Sequence, residues 1–515
     1  MEYSLSSSLV GGSGSLNPDG LSLDLQFAAD KTLTARKGPT PVFTRSSGDT
    51  GGVTYFAPCR ISYLSVDTFQ SSSMNNGRYS WVSVDGVITI SYNGVSWELA
   101  SDGNIIATSA PTTAYRPDLA NWSASGVNVS ATSTFGIVRA VNNEPRFDYD
   151  PITLASRGLL IEEQRVNQIK FSYNNFKNIY WNSTANNVLA VDTVATGPDG
   201  ISASSSSLAE RVGTLVTRHI HETTGVFTPA ANTAYTMSAW VKQPPSDPIR
   251  YVQLAFWIAG FGSTSYMNYD IQTGTVGTGG AGITASSITA YPDGWYRITA
   301  TATSVASPAA SGFQLGFSTS SSAVRTEAYT AASPFKSIYL WGAQVEQGSF
   351  ATSYIPTVSS SLTRSADVCS ITGSDFTSFA KQGQGSVIVH GDSYQGTTPA
   401  FCQFTDNVNA STSFVFVRNN STGALIFTDS SSGSVNVSTS PSYPVKFGAV
   451  RGQVLGVRTY YNGSIVAASN FTTNGVQTKM LIGNSSSGLP LNGCIRSIKH
   501  YKQVLSQTKM QSLTT

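Results

Sequence analysis

RYSWVSVDGVITISYNGVSWELASDGNIIATS, residues 78–109, decides the fold class. Asp85-Gly86, Asn93-Gly94 and Asp102-Gly103 cut it into four short runs in which apolar and polar residues alternate. Asn-Gly and Asp-Gly pairs supply the positive φ angles that tight hairpin turns require, and a period of two is the signature of a half-buried strand. The stretch therefore reads as an antiparallel meander. Its surroundings, residues 63–125, read as one small β-unit. Trp81, Tyr92 and Trp97 fall on its strands, either as the core that so small a unit needs or as an exposed surface for stacking on sugar rings.

The same texture continues outward. TAYTMSAWVKQ (233–243), RYVQLAFWIAG (250–260), GWYRITATATS (294–304), SGFQLGFST (311–319) and KSIYLWGAQVEQG (336–348) are strand-length apolar runs between Ser, Gly and Pro turns. Residues 372–515 repeat the pattern, and only KQVLSQTKMQSLT at the end (502–514) reads as helix. The expected fold is all-β and multidomain: jelly-roll β-sandwiches plus the small antiparallel meander insertion. The expected divisions are an N-terminal arm at 1–62, the insertion at 63–125, a charged junction at 126–169, a jelly-roll sandwich at 170–371, and a third β-unit at 372–515.

Composition narrows the function classes. Charged residues are 12% of the 515, aromatic residues 11%, and the formal net charge is +2. Scattered Lys and Arg make no basic stripe, which argues against nucleic acid. No run approaches the apolar length of a membrane-spanning helix, and the start lacks a basic segment followed by an apolar core, so no membrane insertion or signal peptide is expected. The chain reads as a soluble protein made in a cytoplasm. Cys59, Cys369, Cys402 and Cys494 lie far apart without a CxxC pair, which argues against zinc. Cys402 and Cys494 could face each other, although buried free thiols are the preferred reading.

Against this low charge, EPRFDYDPITLASRGLLIEEQRVNQI (144–169) stands out: eight of the twenty-two residues from Glu144 to Arg165 are Asp, Glu or Arg. Arg146, Asp148, Asp150, Arg157, Glu162, Glu163 and Arg165 are expected to form a structural clamp, with Arg146, Asp148, Arg157 and Glu162 mostly buried and paired. A catalytic carboxylate pair is the rival, as in glycoside hydrolysis. The interspersed arginines would hold these acids ionised, the reverse of what a general acid needs. Calcium is the one metal such acids could take; no cofactor is otherwise expected. His219 and His221 share a strand face and read as strand surface or a ring of histidines inside an oligomer. No G-x-S-x-G elbow, HExxH or P-loop is present.

FTRSS (43–47), the 144–169 stretch, GWYRITAT, IYLWGAQVEQGSFATSYIPT and, six residues later, RSADV resemble a recurring arrangement in tailed-phage virion and prophage tail or fibre proteins. The closing LNGCIRSIKHYKQVLSQTKMQSLT is similar to the end of a concanavalin A/laminin G-like domain, and the insertion resembles a module of phage fibres. The resemblance implies a virion structural protein of fibre or spike type, located on the virion and often trimeric. It also implies a virion-anchoring segment within 1–62, a carbohydrate-binding-module-like sandwich at 170–371 and a concanavalin A/laminin G-like sandwich at 372–515. Its work is read as binding, not as that of an enzyme. Its expected partners are copies of itself, head or tail proteins reached through the N-terminal arm, and host-surface polysaccharide. A structural decoration or tail-assembly protein without ligand is the alternative, and a polysaccharide depolymerase the third reading. For sugar recognition, aromatic faces beside amides and carboxylates single out Tyr251, Trp257, Tyr266, Asn268, Tyr269 and Asp270, and Tyr460, Tyr461 and Asn462 at a YYNG turn.

Overall fold

The structure is a computed structural model that describes residues 20–45, 53–62, 69–75, 78–83, 88–101, 103–109, 122–124, 132–140, 142–173, 175–181, 188–211, 217–223, 227–393, 399–406, 414–418, 425–429, 433–438, 441, 443–452, 456–469, 476–488 and 490–515. It is an all-β, multidomain chain of antiparallel sheets. Two sandwiches form its bulk, and a two-stranded stalk carries a third sheet.

The middle sandwich packs a six-stranded sheet on a five-stranded one. The first runs in the order Val188–Ala195, Ser205–Glu210, Ser337–Gln347, Ala234–Lys242, Tyr296–Thr303, Ile283–Ala290. The second runs Ile220–Glu222, Gln314–Ser318, Tyr251–Ala255, Tyr266–Asp270, Thr275–Gly279. Alternation decides what enters the core. Met237, Ala239 and Val241 point inward from one strand and meet Val252, Leu254, Leu315 and Phe317 of the facing sheet, all buried. The intervening positions of the six-stranded sheet face outward. There Trp240, Trp295 and Trp341 build a second apolar cluster with Tyr354 and with Phe56 and Ile137 of the stalk. Those three tryptophans are thus buried beneath neighbouring segments on the outer face and not inside the sandwich.

The terminal sandwich is completed from distant parts of the chain. Its eight-stranded sheet takes Arg146–Tyr149 and Ser156–Ile161, and Leu21–Leu25 pairs with Gly493–Tyr501. Its seven-stranded sheet begins with Val42–Thr44, which pairs with Val368–Thr372. Leu23, Leu25, Phe27 and Phe43 lie in the same buried core as Val389, Phe401 and Ile498. The divisions expected at 1–62, 126–169 and 372–515 therefore cut through hydrogen-bonded sheets. Part of the expected anchoring arm, residues 20–45, is built into the last sandwich, with Leu23, Leu25, Phe27, Leu33 and Phe43 in its core. The remainder at 1–19 lies outside the described residues.

The stalk is the antiparallel pair Val53–Ser62 and Thr132–Ala140. Beyond it Phe69–Asn75, Arg78–Ser83, Ile88–Tyr92, Trp97–Ser101, Asn104–Ser109 and Trp122–Ala124 pair in sequence as a six-stranded meander. Tyr92 and Trp97 are buried in it with ring centroids 5.2 Å apart; the Trp81 side chain lies outside the described ones. The C-terminal helix is shorter than the 502–514 expected, spanning Gln507–Thr514, because the Ser506 hydroxyl caps the Lys509 amide and starts it there. Cys369, Cys402 and Cys494 are buried free thiols. Among the described residues no helix is long and apolar enough to cross a membrane.

Candidate functional site

Segments remote in sequence meet where the stalk leaves the two sandwiches. Arg146, on the first strand of the charged stretch, is fully buried and donates to Glu162 Oε2 at 2.7 Å and to Asp367 Oδ2 at 2.5 Å. Arg364 donates to the same Glu162 oxygen at 2.7 Å, and Arg45 to Asp367 Oδ1 at 3.2 Å. Glu162 also accepts from the Ser353 amide and hydroxyl, which brings in the loop that closes the middle sandwich. Three guanidinium groups and two carboxylates thus pair out of water, and Arg146 and Arg364 make further hydrogen bonds to Ser353 and to the backbone oxygens of Thr54 and Glu163. Burial alone would push the Glu162 carboxyl up, but Arg364 and Arg146 outweigh it and hold it at about 2. Burial likewise opposes the Arg146 cation, and Asp367 and Glu162 overcome that and raise its pKa. For Arg45 burial, aided by the like charges of Arg146 and Arg364, outweighs Asp367 and lowers it to about 10.

Sequence reading missed Arg45, Arg364 and Asp367, although the first lies in FTRSS and the others in RSADV. Arg364 and Asp367 pair with the 144–165 stretch across 202 and 221 residues, and Arg45 reaches Asp367 across 322, which no local pattern reveals. The other acids and arginines of the stretch divide by role. Arg165 pairs with Glu163, comes within 3.9 Å of Glu346 and stacks on Phe350. Gly348 is dictated by this arrangement: its φ is +139°, and a Cβ there would lie 1.7 Å from an Arg165 nitrogen. Glu163 is also joined to Asn492 of the terminal sandwich through its amide and its carboxylate. Arg157 lies 3.6 Å from Asp392, which Arg496 approaches equally.

Asp148 and Asp150 stand outside the ion network. Asp150 caps the turn that follows it, accepting from the Ile152 and Thr153 amides. These bonds outweigh burial and lower its pKa. The single hydrogen bond of the Asp148 side chain, among the described residues, comes from the Phe56 amide of the stalk, 3.0 Å from Oδ1. Burial pushes this carboxyl up to about 6, against the pull of Arg157. The expectation that arginines would hold every acid of the stretch ionised thus holds for Glu162 and fails for Asp148.

Asp148 opens into a cleft of about 440 Å³ between the outer face of the six-stranded sheet and the charged stretch. That volume lies within the ~300–1,000 Å³ usual for small-molecule sites. Its floor is hydroxyl-rich, with Ser286, Ser287, Thr289, Thr299 and Thr301 from the last two strands of the sheet. Arg297 crosses this floor. Its guanidinium lies 4.5 Å from the Trp240 ring centroid and is fixed by bonds to Ser238 Oγ at 3.1 Å and Thr352 O at 2.6 Å. Tyr149 and Tyr291 supply aromatic wall, and the loop 349–354 closes one side. Glu162 borders the cleft with both oxygens hydrogen-bonded, and Asp150 is held by its turn. The second free carboxylate that paired-acid hydrolysis uses is therefore not supplied by these neighbours. Among the described residues, no group of three or more His, Cys, Asp or Glu could hold a metal ion.

The residues expected to bind sugar lie elsewhere and do not converge. Tyr269 is core of the middle sandwich, its hydroxyl on Thr299 O. Asn268 is fully buried and spends its amide on Gln253, Thr278 and Ala323, because residues 319–329 strap over that face of the five-stranded sheet. Asp270 is bound by Arg250 at 2.8 Å and caps the Gln272 amide. Tyr460 is buried beside Met510 of the terminal helix. Tyr269, Asn268 and Tyr460 therefore have no surface for a ligand. Tyr251, Trp257, Tyr266 and Tyr461 are partly buried, and Asn462 is exposed in its turn at φ 48°. His219 and His221, expected on a surface or a central ring, are buried within the middle sandwich. His221 stacks on Trp181 with centroids 5.0 Å apart, and burial lowers its pKa to about 3.

No family model matches the chain, and no curated protein matches it. Among solved structures it is similar to the CBM40 module of the Ruminococcus gnavus IT-sialidase. With α2,6-sialyllactose bound, the identity is 15%, with 26% of this chain and 84% of that chain covered and a TM-score of 0.23. The α2,3-sialyllactose complex (14% identity, 26% and 82% covered) and the module alone (14%, 26% and 83%) both give a TM-score of 0.23. A likeness this slight carries no functional inference.

Proposed function

We propose that the chain is a bacteriophage virion structural protein, a fibre- or spike-type appendage that binds host-surface glycans during adsorption. One observation carries the reading. The stretches that resemble tailed-phage virion proteins supply one junction: Arg45 from FTRSS, Arg146 and Glu162 from the charged stretch, Arg297 from GWYRITAT, Ser353 from the long closing motif, and Arg364 and Asp367 from RSADV. Residues so far apart in sequence serve a single purpose there, which is to fix two sandwiches and a stalk in one arrangement. A rigid multidomain frame with Glu162 held between Arg146 and Arg364 suits presentation and binding better than turnover. In this reading residues 1–19 dock to a head or tail protein, copies assemble as a trimer, and repeated weak contacts add up through multivalency.

The test is adsorption. Purified protein should be retained on an array of bacterial surface polysaccharides, and pre-incubating host cells with it should lower phage adsorption. Retention on none of the polysaccharides, together with unchanged adsorption, removes the glycan-binding function.

A further inference from the structure

We propose that the cleft between the six-stranded sheet and the charged stretch is a binding site for an uncharged saccharide, read through its hydroxyl groups by Asp148 and by the Ser287–Thr299 row. This rests on the glycan-binding reading above and gives it a place and a ligand class.

The chemistry of the walls selects the ligand. Asp148 offers a carboxylate with one oxygen tied to the Phe56 amide and the other without a partner among the described residues. A half-buried acceptor facing the cleft gains from a donor hydroxyl, and a charge-assisted bond is about twice as strong as a neutral one. Across the floor, Ser287 Oγ and Thr299 Oγ1 lie 2.7 Å apart in an exposed pair. Such hydroxyls donate and accept, which is the repertoire of a sugar ring edge. Tyr149 and Tyr291 give the aromatic faces that pack on its C–H face.

Charge excludes the ionic alternatives. Arg157, which is shared with Asp392, and Arg297 border the cleft beside Asp148 and Asp150, while Glu162 is paired by Arg146 and Arg364, so charges of both signs line it. An anionic sugar would meet Asp148 and Asp150, and a cationic one would meet the two arginines. A neutral polyhydroxy ligand meets neither penalty. Arg297 is held by Trp240, Ser238 and Thr352 before any ligand arrives, so the floor is preorganised.

The experiment uses the full chain and a panel of neutral methyl glycosides, read by saturation-transfer NMR, alongside retention on surface polysaccharide. Ser287 is exposed on the edge strand of the floor, so Ser287→Trp fills the cleft without entering a core. Ser287→Trp should abolish the transfer signal of whichever glycosides bind, and Asp148→Asn should weaken them roughly tenfold, the equivalent of one charged hydrogen bond. Tyr251→Ala on the five-stranded sheet and Tyr461→Ala on the eight-stranded sheet of the terminal sandwich, both away from the cleft, should leave the signal unchanged. An unaltered melting temperature in Ser287→Trp separates a blocked site from a damaged fold. Binding that survives Ser287→Trp, or no signal from any glycoside with the native chain, overturns the cleft as the site. Glycoside signals that Ser287→Trp removes, with no polysaccharide retained, leave the cleft standing and remove the host-glycan reading.

Discussion

Glu162 and Asp148 belong to one charged stretch and titrate in opposite directions, because one is surrounded by arginines and the other faces a single backbone amide and a cleft. Glu162, held at about 2, gives stability that is complete above the unfolded carboxyl value of ~4.3 and is lost as pH falls towards 2. Asp148, pushed up to about 6, behaves in reverse. Between ~3.9 and 6 the folded chain keeps a proton that the unfolded chain has released, so stability falls as pH rises through this window. Arg157 and Arg146 moderate the cost and Glu162 adds to it. Asp148→Asn keeps an acceptor for the Phe56 amide and removes the buried charge. It should stabilise the protein by about 1–3 kcal/mol at pH 7.5 and by almost nothing at pH 4. Glu162→Gln should cost roughly 3–5 kcal/mol at pH 7.5, because Arg146 and Arg364 then lose a buried counter-charge. Denaturant titrations of both variants at the two pH values check the signs. At the residue scale the sequence displays the density of charge from Glu144 to Arg165, but not which acid is paired. That depends on Asp367, 221 residues from Arg146, and on a stalk amide 92 residues from Asp148.

Strands were legible wherever a period of two and a turn pair lay side by side, which is why the meander and the runs of the middle sandwich could be read in order. Strand partners were not legible in the terminal sandwich. Nothing local to LSLDLQFA announces that Leu25 will lie opposite Ile498, or that Phe43 will lie opposite Cys369. A short polar-flanked segment at the start of a chain has the composition of a loose arm, and only the facing core shows that its apolar residues have a place to go. Burial has an energetic consequence. Leu25→Ala should cost about 2–5 kcal/mol as a large-to-small change in a packed core. Backbone amides of Gly493–Tyr501 should then exchange hydrogen faster, while those of Ser337–Gln347 keep their protection. Unchanged exchange at Gly493–Tyr501 would mean that residues 20–45 are no part of the terminal sandwich in solution.

At the scale of the molecule, the ion network decides whether two sandwiches act as one body. Each has its own apolar core, and those cores share no residue. Apolar residues of the stalk pack on both, and a polar set joins them directly: Glu162 to Ser353, Arg146 to Ser353, Arg165 to Glu346, and Asn492 to Glu163. A polar joint couples two domains only while its charges persist, because protonating Glu162 leaves Arg146 and Arg364 buried with less to balance them. Calorimetry at neutral pH should therefore show the two sandwiches melting together. Below about pH 3, approaching the Glu162 value, the transition should split into two. The Arg364→Met variant should show the split already at pH 7, since it removes one of the two cations on Glu162 and leaves each core intact. A single transition in that variant at every pH would assign the coupling instead to the apolar cluster of Trp240, Trp341 and Tyr354 under the stalk, which carries no titrating carboxylate.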